Sequence, residues 1–189
     1  MDSLIELNKN NFWNNRQPPT ESLIKTAHLF DKINGKVIIE IGSGIQGEMS
    51  GNSALVWANK TNAEYIYCLD LEQKHIDQVN EAVKGNNAVR AIKIDGFEFL
   101  KNFEGFIDML YLDFWVEDKP GEVQGTGRAE HYLRAFELAK NKMKKKSIIL
   151  IDDTDHIDPW KHTYIVPEAR KYGYQVLWCG RQTCLFRKE

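Results

Sequence analysis

The sequence contains no apolar run near the roughly 20 residues that a bilayer-spanning helix requires. Its first residues, Met1-Asp-Ser-Leu-Ile-Glu6, lack the basic start and apolar core of a secretory leader. Three cysteines, Cys68, Cys179 and Cys184, are too few and too irregularly spaced for a zinc site, and their odd number argues against a disulfide framework. Two lie in apolar, strand-like segments, where a buried, reduced thiol is expected. The cytoplasm is therefore the expected compartment. Neither sign of charge dominates: 25 basic residues oppose 27 acidic ones, a net charge of -2, which gives no global electrostatic reason to bind nucleic acid. Repeats and low-complexity tracts are absent as well.

What is present is an ordinary globular composition, 42% hydrophobic and 28% charged, in a chain long enough for one compact domain. Strand and helix signals alternate, which predicts an α/β sheet. A helix is expected over 20–33, where Leu23, Ala27 and Phe30 share a face behind Pro18-Pro19. Val37–Ile41 reads as a strand, 51–60 as a buried helix, Tyr65–Leu69 as the second strand, and Ile76, Val79 and Val83 as a helix ended by Gly85. Strands follow at 89–94 and 106–112. The 114–130 stretch, with three glycines, one proline and several charges, reads as a mobile loop. Tyr132, Ala135, Phe136, Ala139 and Met143 predict an amphipathic helix, with the lysines between Lys140 and Lys146 solvated at its end. A fifth strand is expected at Ser147–Ile151, a helix near 161–172, and a hairpin pairing 174–179 with 183–186.

Gly42-Ser43-Gly44-Ile-Gln-Gly47 spells a G-x-G-x-x-G turn directly after the first strand. Glycines there let the backbone turn sharply and bring its N–H groups close to a ligand. Dinucleotide enzymes share this turn, so the acids around it decide the ligand. Glu40 at the ligand end of the strand would repel a pyrophosphate but suits S-adenosylmethionine, which has no phosphate and carries an ammonium and a sulfonium. Asp70, Asp95 and Asp113 follow strands two, three and four, whose ends share one edge in a parallel sheet. Asp70 is placed to accept both ribose hydroxyls and Asp95 to accept the adenine amino group; each is also a natural helix cap or turn former.

Val37-Ile-Ile-Glu-Ile-Gly-Ser-Gly44, Cys68-Leu-Asp-Leu71, Ile94-Asp-Gly-Phe-Glu-Phe-Leu100 and Ile107-Asp-Met-Leu-Tyr-Leu-Asp113 resemble the successive motifs of class I S-adenosylmethionine-dependent methyltransferases. The resemblance implies a Rossmann-like, doubly wound sheet of seven strands, mostly parallel with an antiparallel C-terminal strand. It implies a methyltransferase domain over 20–189. In the preceding 1–19 segment, Phe12 and Trp13 are unusual among polar neighbours; they pack against the domain or make the segment a candidate lid. Glu40, Gly42, Ser43, Gly44, Gly47, Asp70, Asp95 and Gly96 are then the expected cofactor contacts.

Asp152-Asp153 follows strand five, beside Asp113. Three carboxylates at adjacent strand ends are costly unless a cation or protons neutralise them. Oxygen-only ligands favour Mg²⁺ or Ca²⁺, and such an ion can hold paired hydroxyls and lower their pKa. The layout is similar to that of the metal-dependent O-methyltransferases related to catechol O-methyltransferase, with Leu112-Asp-Phe-Trp115 resembling that family's Leu-Asp-His-Trp element. The family's catalytic lysine directly follows the tryptophan; Val116 stands there in this sequence. Glu117, Asp118 or His156 can supply a base, and Asp113 and His156 are the candidate catalytic residues. Arg128 is a candidate partner for an acidic substrate group or simply a solvated arginine. Trp115 and the loop after it suit a substrate lid. The expected function is O-methylation of a small molecule or glycan hydroxyl, metal-assisted or not, without a nucleic-acid or membrane partner and with a C-terminal edge able to support a homodimer. A nicotinamide-dependent oxidoreductase and a non-catalytic cofactor-binding module are the competing readings.

Overall fold

A computed structural model describes residues 20–44, 52–156 and 158–189. The candidate lid with Phe12 and Trp13, and Gly47 of the glycine turn, lie outside the described residues.

The elements run α1 (Thr20–Lys32), β1 (Val37–Ile41), α2 (Ser53–Lys60), β2 (Tyr65–Asp70), α3 (Gln73–Ala82), β3 (Val89–Lys93), α4 (Gly96–Asn102), β4 (Ile107–Leu112), α5 (Thr126–Ala139), β5 (Met143–Ile151), α6 (Ile165–Lys171), β6 (Tyr174–Trp178) and β7 (Thr183–Arg187). The seven strands form one sheet in the order β3-β2-β1-β4-β5-β7-β6. Neighbouring strands from β3 across to β5 are parallel, and β7 is antiparallel to both β5 and β6. This is the doubly wound, Rossmann-like sheet that the motifs implied.

Alternation along the strands splits the core in two. Ile39, Ile41, Leu110, Leu112, Ile149 and Ile151 pack with Tyr132, Ala135 and Phe136 of α5 and with Ile165 of α6. Ile38, Met109, Tyr111, Ile148 and Leu150 face the other way, onto Leu23, Ala27 and Phe30 of α1 and Trp57 of α2. All six residues of β4 are buried, as expected of a central parallel strand covered on both faces. Each large apolar side chain removed from water here contributes about 1.5–3 kcal/mol.

Backbone ties extend the ladder past the strand ends. Gly42 N–H donates to Leu69 O (2.9 Å), Ile94 N–H to Asp70 O (3.0 Å), Asp113 N–H to Ile41 O (2.9 Å) and Asp152 N–H to Leu112 O (3.0 Å). They align Asp95, Asp70, Gly42, Asp113 and Asp152 along one edge. The chain reverses its winding between β1 and β4, and that crevice is where open α/β sheets bind ligands.

Several expectations need correction. Met143 opens β5 rather than lying on the preceding helix, because Gly-free but short-range turns at 140–142 end α5 and pair Met143 with Ile107. Only Lys140 therefore lies at the helix end, and Lys144 reaches buried Asp108 (2.8 Å) instead of solvent alone. The 114–130 stretch is a loop only up to Gly125; α5 begins at Thr126. Helix α4, seven residues long, was hidden inside a motif read for its acid. Cys68 and Cys184 are buried free thiols, and Cys179 is an exposed one. Among the described residues no helix is long and apolar enough to cross a membrane.

Candidate active site

A cavity of about 850 Å³ opens at the aligned strand ends, within the size range of small-molecule sites. One half is built on the glycine turn. Gly42 has φ +89°, and a Cβ there would collide with the backbone carbonyl of Asp113. A Cβ on Gly96, the first residue of α4, would run into the Ile41 side chain. These two positions keep β1, β4 and α4 close enough to form the cavity floor. Ser43 and Gly44 line the wall beside them, with Gly44 against the His75 ring.

Asp70 and Asp95 stand on this half of the cavity, and both also serve the backbone. Asp70 Oδ1 accepts from Glu72 N–H (2.8 Å) and faces His75 Nδ1 (3.1 Å). Asp95 Oδ1 caps α4 by accepting from Phe97 N–H (2.8 Å) and Glu98 N–H (3.0 Å). The capping carboxylate thus also borders the cavity.

Glu40 behaves differently. Its carboxylate is fully buried, accepts from Ser53 Oγ (2.6 Å) and Trp57 Nε1 (2.9 Å), and does not line the cavity. Burial pushes its pKa up to about 7 against the pull of those two donors. Strand alternation is the reason. Glu40 shares the face of Ile38, so it points at α2, and its role is to tie α2 to the end of β1.

Asp113, Asp152 and Asp153 do converge, with one carboxylate oxygen of each within 4.8 Å of the others. The sequence reading missed what sits among them. Lys161, only 1% exposed, sets Nζ 3.2 Å from Asp153 Oδ2 and 3.6 Å from Asp113 Oδ1. Arg181 places Nε 3.0 Å from Asp153 Oδ1 and Nη2 3.8 Å from Asp152 Oδ2. Gln182 Nε2 donates to Asp152 Oδ1 (2.5 Å) and to the Tyr111 hydroxyl (3.1 Å), and that hydroxyl donates to Asp113 Oδ2 (3.3 Å). The result is a closed polar ring in which each carboxylate has a partner from the chain itself.

Burial, then the neighbouring Asp152, pushes the Asp113 carboxyl well above the usual carboxylate range, with Lys161 pulling the other way. Burial and Asp153 likewise raise Asp152 against Lys161 and Arg181. Burial on its own would lower the Lys161 ammonium, but Tyr132 and the three carboxylates overcome it and the net shift is upward. Lys161 therefore stays protonated at neutral pH.

The other candidates lie outside this ring. His156 stacks on Trp160 with centroids 4.2 Å apart and does not line the cavity, although one of its ring nitrogens is within 4.8 Å of carboxylate oxygens of Asp153 and Asp155. His131 of α5 does line it, its Nδ1 2.6 Å from Gly127 O. Arg128 is neither solvated nor free for a substrate. It is buried, bonds Asp118 Oδ2 (2.6 Å), and lies 3.9 Å above the Trp115 ring and 4.8 Å above that of Trp160. Asp118 also accepts from Gly125 N–H (2.9 Å) and Gly127 N–H (3.1 Å). These bonds outweigh its partial desolvation and hold its carboxyl below the usual range, and they engage both of its oxygens. The loop is thus pinned at its middle, and Trp115, 59% exposed, is held at the cavity mouth.

A family model described as a methyltransferase domain matches residues 39–154, more than half of the chain and the whole stretch from β1 to the β5 acids. The chain belongs to that methyltransferase family. Solved structures agree in fold. The Podospora anserina methyltransferase PaMTH1, solved with S-adenosylhomocysteine, is similar with a TM-score of 0.62 at 19% identity, over 100% of this chain and 87% of that one. The O-methyltransferase from Bacillus cereus, also with S-adenosylhomocysteine, gives 0.58 at 14%, over 98% and 90%. The magnesium protoporphyrin IX methyltransferase of Synechocystis, with its bound methyl donor, gives 0.59 at 14%, over 89% and 79%. No curated protein matches the sequence. Membership of a methyltransferase family speaks against the oxidoreductase alternative.

The donor half fits that cofactor. Close packing at Gly42 and Gly96 would be lost with any side chain there, and the two strand-end carboxylates, Asp70 and Asp95, line the cavity, where they would be available to hydroxyl and amino donors of that cofactor. The acid cluster does not fit a divalent ion in the same way, because an ammonium and a guanidinium already neutralise it.

Proposed function

We propose that this methyltransferase transfers a methyl group to a hydroxyl oxygen of a small molecule or sugar. The observation that carries the reading is the continuity of the cavity: it runs from Asp70 and Asp95 to Asp113, whose carboxylate is 32% exposed at the far end. S-adenosylmethionine supplies a methyl group on a positively charged sulfur. The reaction consumes a hydroxyl and yields a methyl ether, S-adenosylhomocysteine and one proton.

Taking up that proton is the task left to the chain. Asp113 is the acceptor we assign. It faces the cavity, its Oδ2 is oriented by the Tyr111 hydroxyl, and burial beside Asp152 raises its proton affinity above that of an ordinary carboxylate. Phe114, Trp115 and Val116 give the same end an apolar wall against which a ring-bearing acceptor can pack. Neither a nucleic acid nor a membrane is needed as partner in this reading.

The experiment is transfer of radiolabel from S-[methyl-¹⁴C]adenosylmethionine to a panel of phenols, catechols, sugars, amines and carbon acids. The reading predicts alkali-stable, ether-linked label in at least one hydroxyl compound and its loss in Asp113→Asn. Label appearing only on amine or carbon acceptors would contradict it.

A further inference from the structure

We infer that Lys161, with Arg181 behind it, is the resident cation of the acceptor half, standing in for a divalent metal ion among Asp113, Asp152 and Asp153. This rests on the reading of that half as the acceptor site.

Three observations carry it. The first is occupancy. Mg²⁺ or Ca²⁺ requires carboxylate oxygens at about 2.0–2.6 Å on an open side. Here Asp153 Oδ2 and Asp113 Oδ1 lie instead 3.2 and 3.6 Å from the Lys161 ammonium.

The second is charge. Three carboxylates with one divalent ion carry a formal charge of -1, and the same three with Lys161 and Arg181 also carry -1. The chain reaches by its own side chains the balance that an ion would otherwise supply.

The third is rigidity. Lys161 is enclosed, 5.5 Å over the Tyr132 ring, so its ammonium does not swing out to water as a surface lysine would. Arg181 is fixed by the turn between β6 and β7, whose next residue, Gln182, holds Asp152 from the other side.

The consequence is chemical. A divalent ion chelates two adjacent oxygens, whereas a protonated lysine offers N–H donors from a single point. Lys161 therefore stabilises one developing oxyanion, next to the carboxylate of Asp113 that takes the proton. The acceptor does not need paired hydroxyls, and Lys161 does not take over as base from the lysine missing after Trp115; that role stays with Asp113. Lys161 is protonated and acts as an electrostatic partner.

The test is titration of the full-length protein with Mn²⁺, read as loss of the free-ion electron paramagnetic resonance signal. S-adenosylhomocysteine binding is measured by calorimetry on the same samples. The expected result is that wild type leaves the Mn²⁺ signal undiminished, while Lys161→Met/Arg181→Met, its carboxylates freed, takes up one ion per chain. Uptake by wild type that disappears in Asp113→Asn would overturn the inference, as would a double variant that binds S-adenosylhomocysteine normally yet takes up no ion. If the double variant does not fold, the wild-type titration decides alone. Failure of the methyltransferase reading has a different signature, the absence of S-adenosylhomocysteine binding by wild type.

Discussion

Lys161 donates a 3.2 Å hydrogen bond to Asp153 from inside the protein, at the wall of the same cavity that Asp70 lines from the other end. A buried ammonium at that position turns a costly cluster of carboxylates into a balanced one, and it makes the acceptor half a charged but fully paired surface. The donor half depends on glycine and on two strand-end acids. The two halves therefore fail in different ways when altered.

Asp70→Asn keeps the oxygen that accepts from Glu72 N–H but loses the charge that would hold two hydroxyls. A charge-assisted hydrogen bond is worth about 1.5–3 kcal/mol, so S-adenosylhomocysteine affinity should fall about 10- to 100-fold. Calorimetry measures the affinity, and the thermal midpoint without ligand should barely move.

Gly42→Ala places a methyl against the Asp113 carbonyl at a residue with φ +89°. Left-handed backbone costs a non-glycine residue about 1–2 kcal/mol, and overpacking adds about 1–3 kcal/mol. Urea denaturation should report a loss in that range, with a matching loss of S-adenosylhomocysteine binding.

Arg128→Ala removes the partner of Asp118 and the cation above Trp115. Breaking a buried pair by deleting one member costs on the order of 3 kcal/mol. Hydrogen exchange should show amides between 114 and 125 losing protection, because Asp118 is the anchor of that loop.

Glu40 gives a pH signature. In the unfolded chain it releases its proton near the ordinary value of 4.5, whereas in the fold it holds the proton to about 7. Between those values the folded protein binds the extra proton, so stability is full below pH 4.5 and falls as pH rises toward 7. The loss attributable to this group is about 3 kcal/mol. Comparing urea midpoints of wild type and Glu40→Gln across this interval isolates it; a constant difference between the two proteins would show that burial leaves the carboxyl unperturbed.

The sheet and the strand-end positions of its acids were legible because their signals are local. Val37–Ile41 and Ile107–Leu112 are apolar runs ended by glycine or aspartate, and parallel pairing then forces Asp70, Asp95, Asp113 and Asp152 onto one edge. Glu40 was misjudged because its place at a strand end was weighed above the two-residue alternation that turns it toward Trp57. Lys161, Arg181 and His131 were missed because a loop, a hairpin turn and a helix bring them in from positions that no strand register fixes. One signal was available for the first. The Trp-Lys pair sought at 115–116 is present at Trp160-Lys161, and the structure brings it back to the same cavity, with Trp115 and Trp160 6.2 Å apart.

The most direct measurement of the central claim is calorimetric titration of the wild-type protein with S-adenosylhomocysteine and, separately, with NAD⁺. The cavity built on Gly42, Asp70 and Asp95 predicts one S-adenosylhomocysteine per chain and no heat from NAD⁺. Saturable binding of NAD⁺ with none of S-adenosylhomocysteine would contradict it.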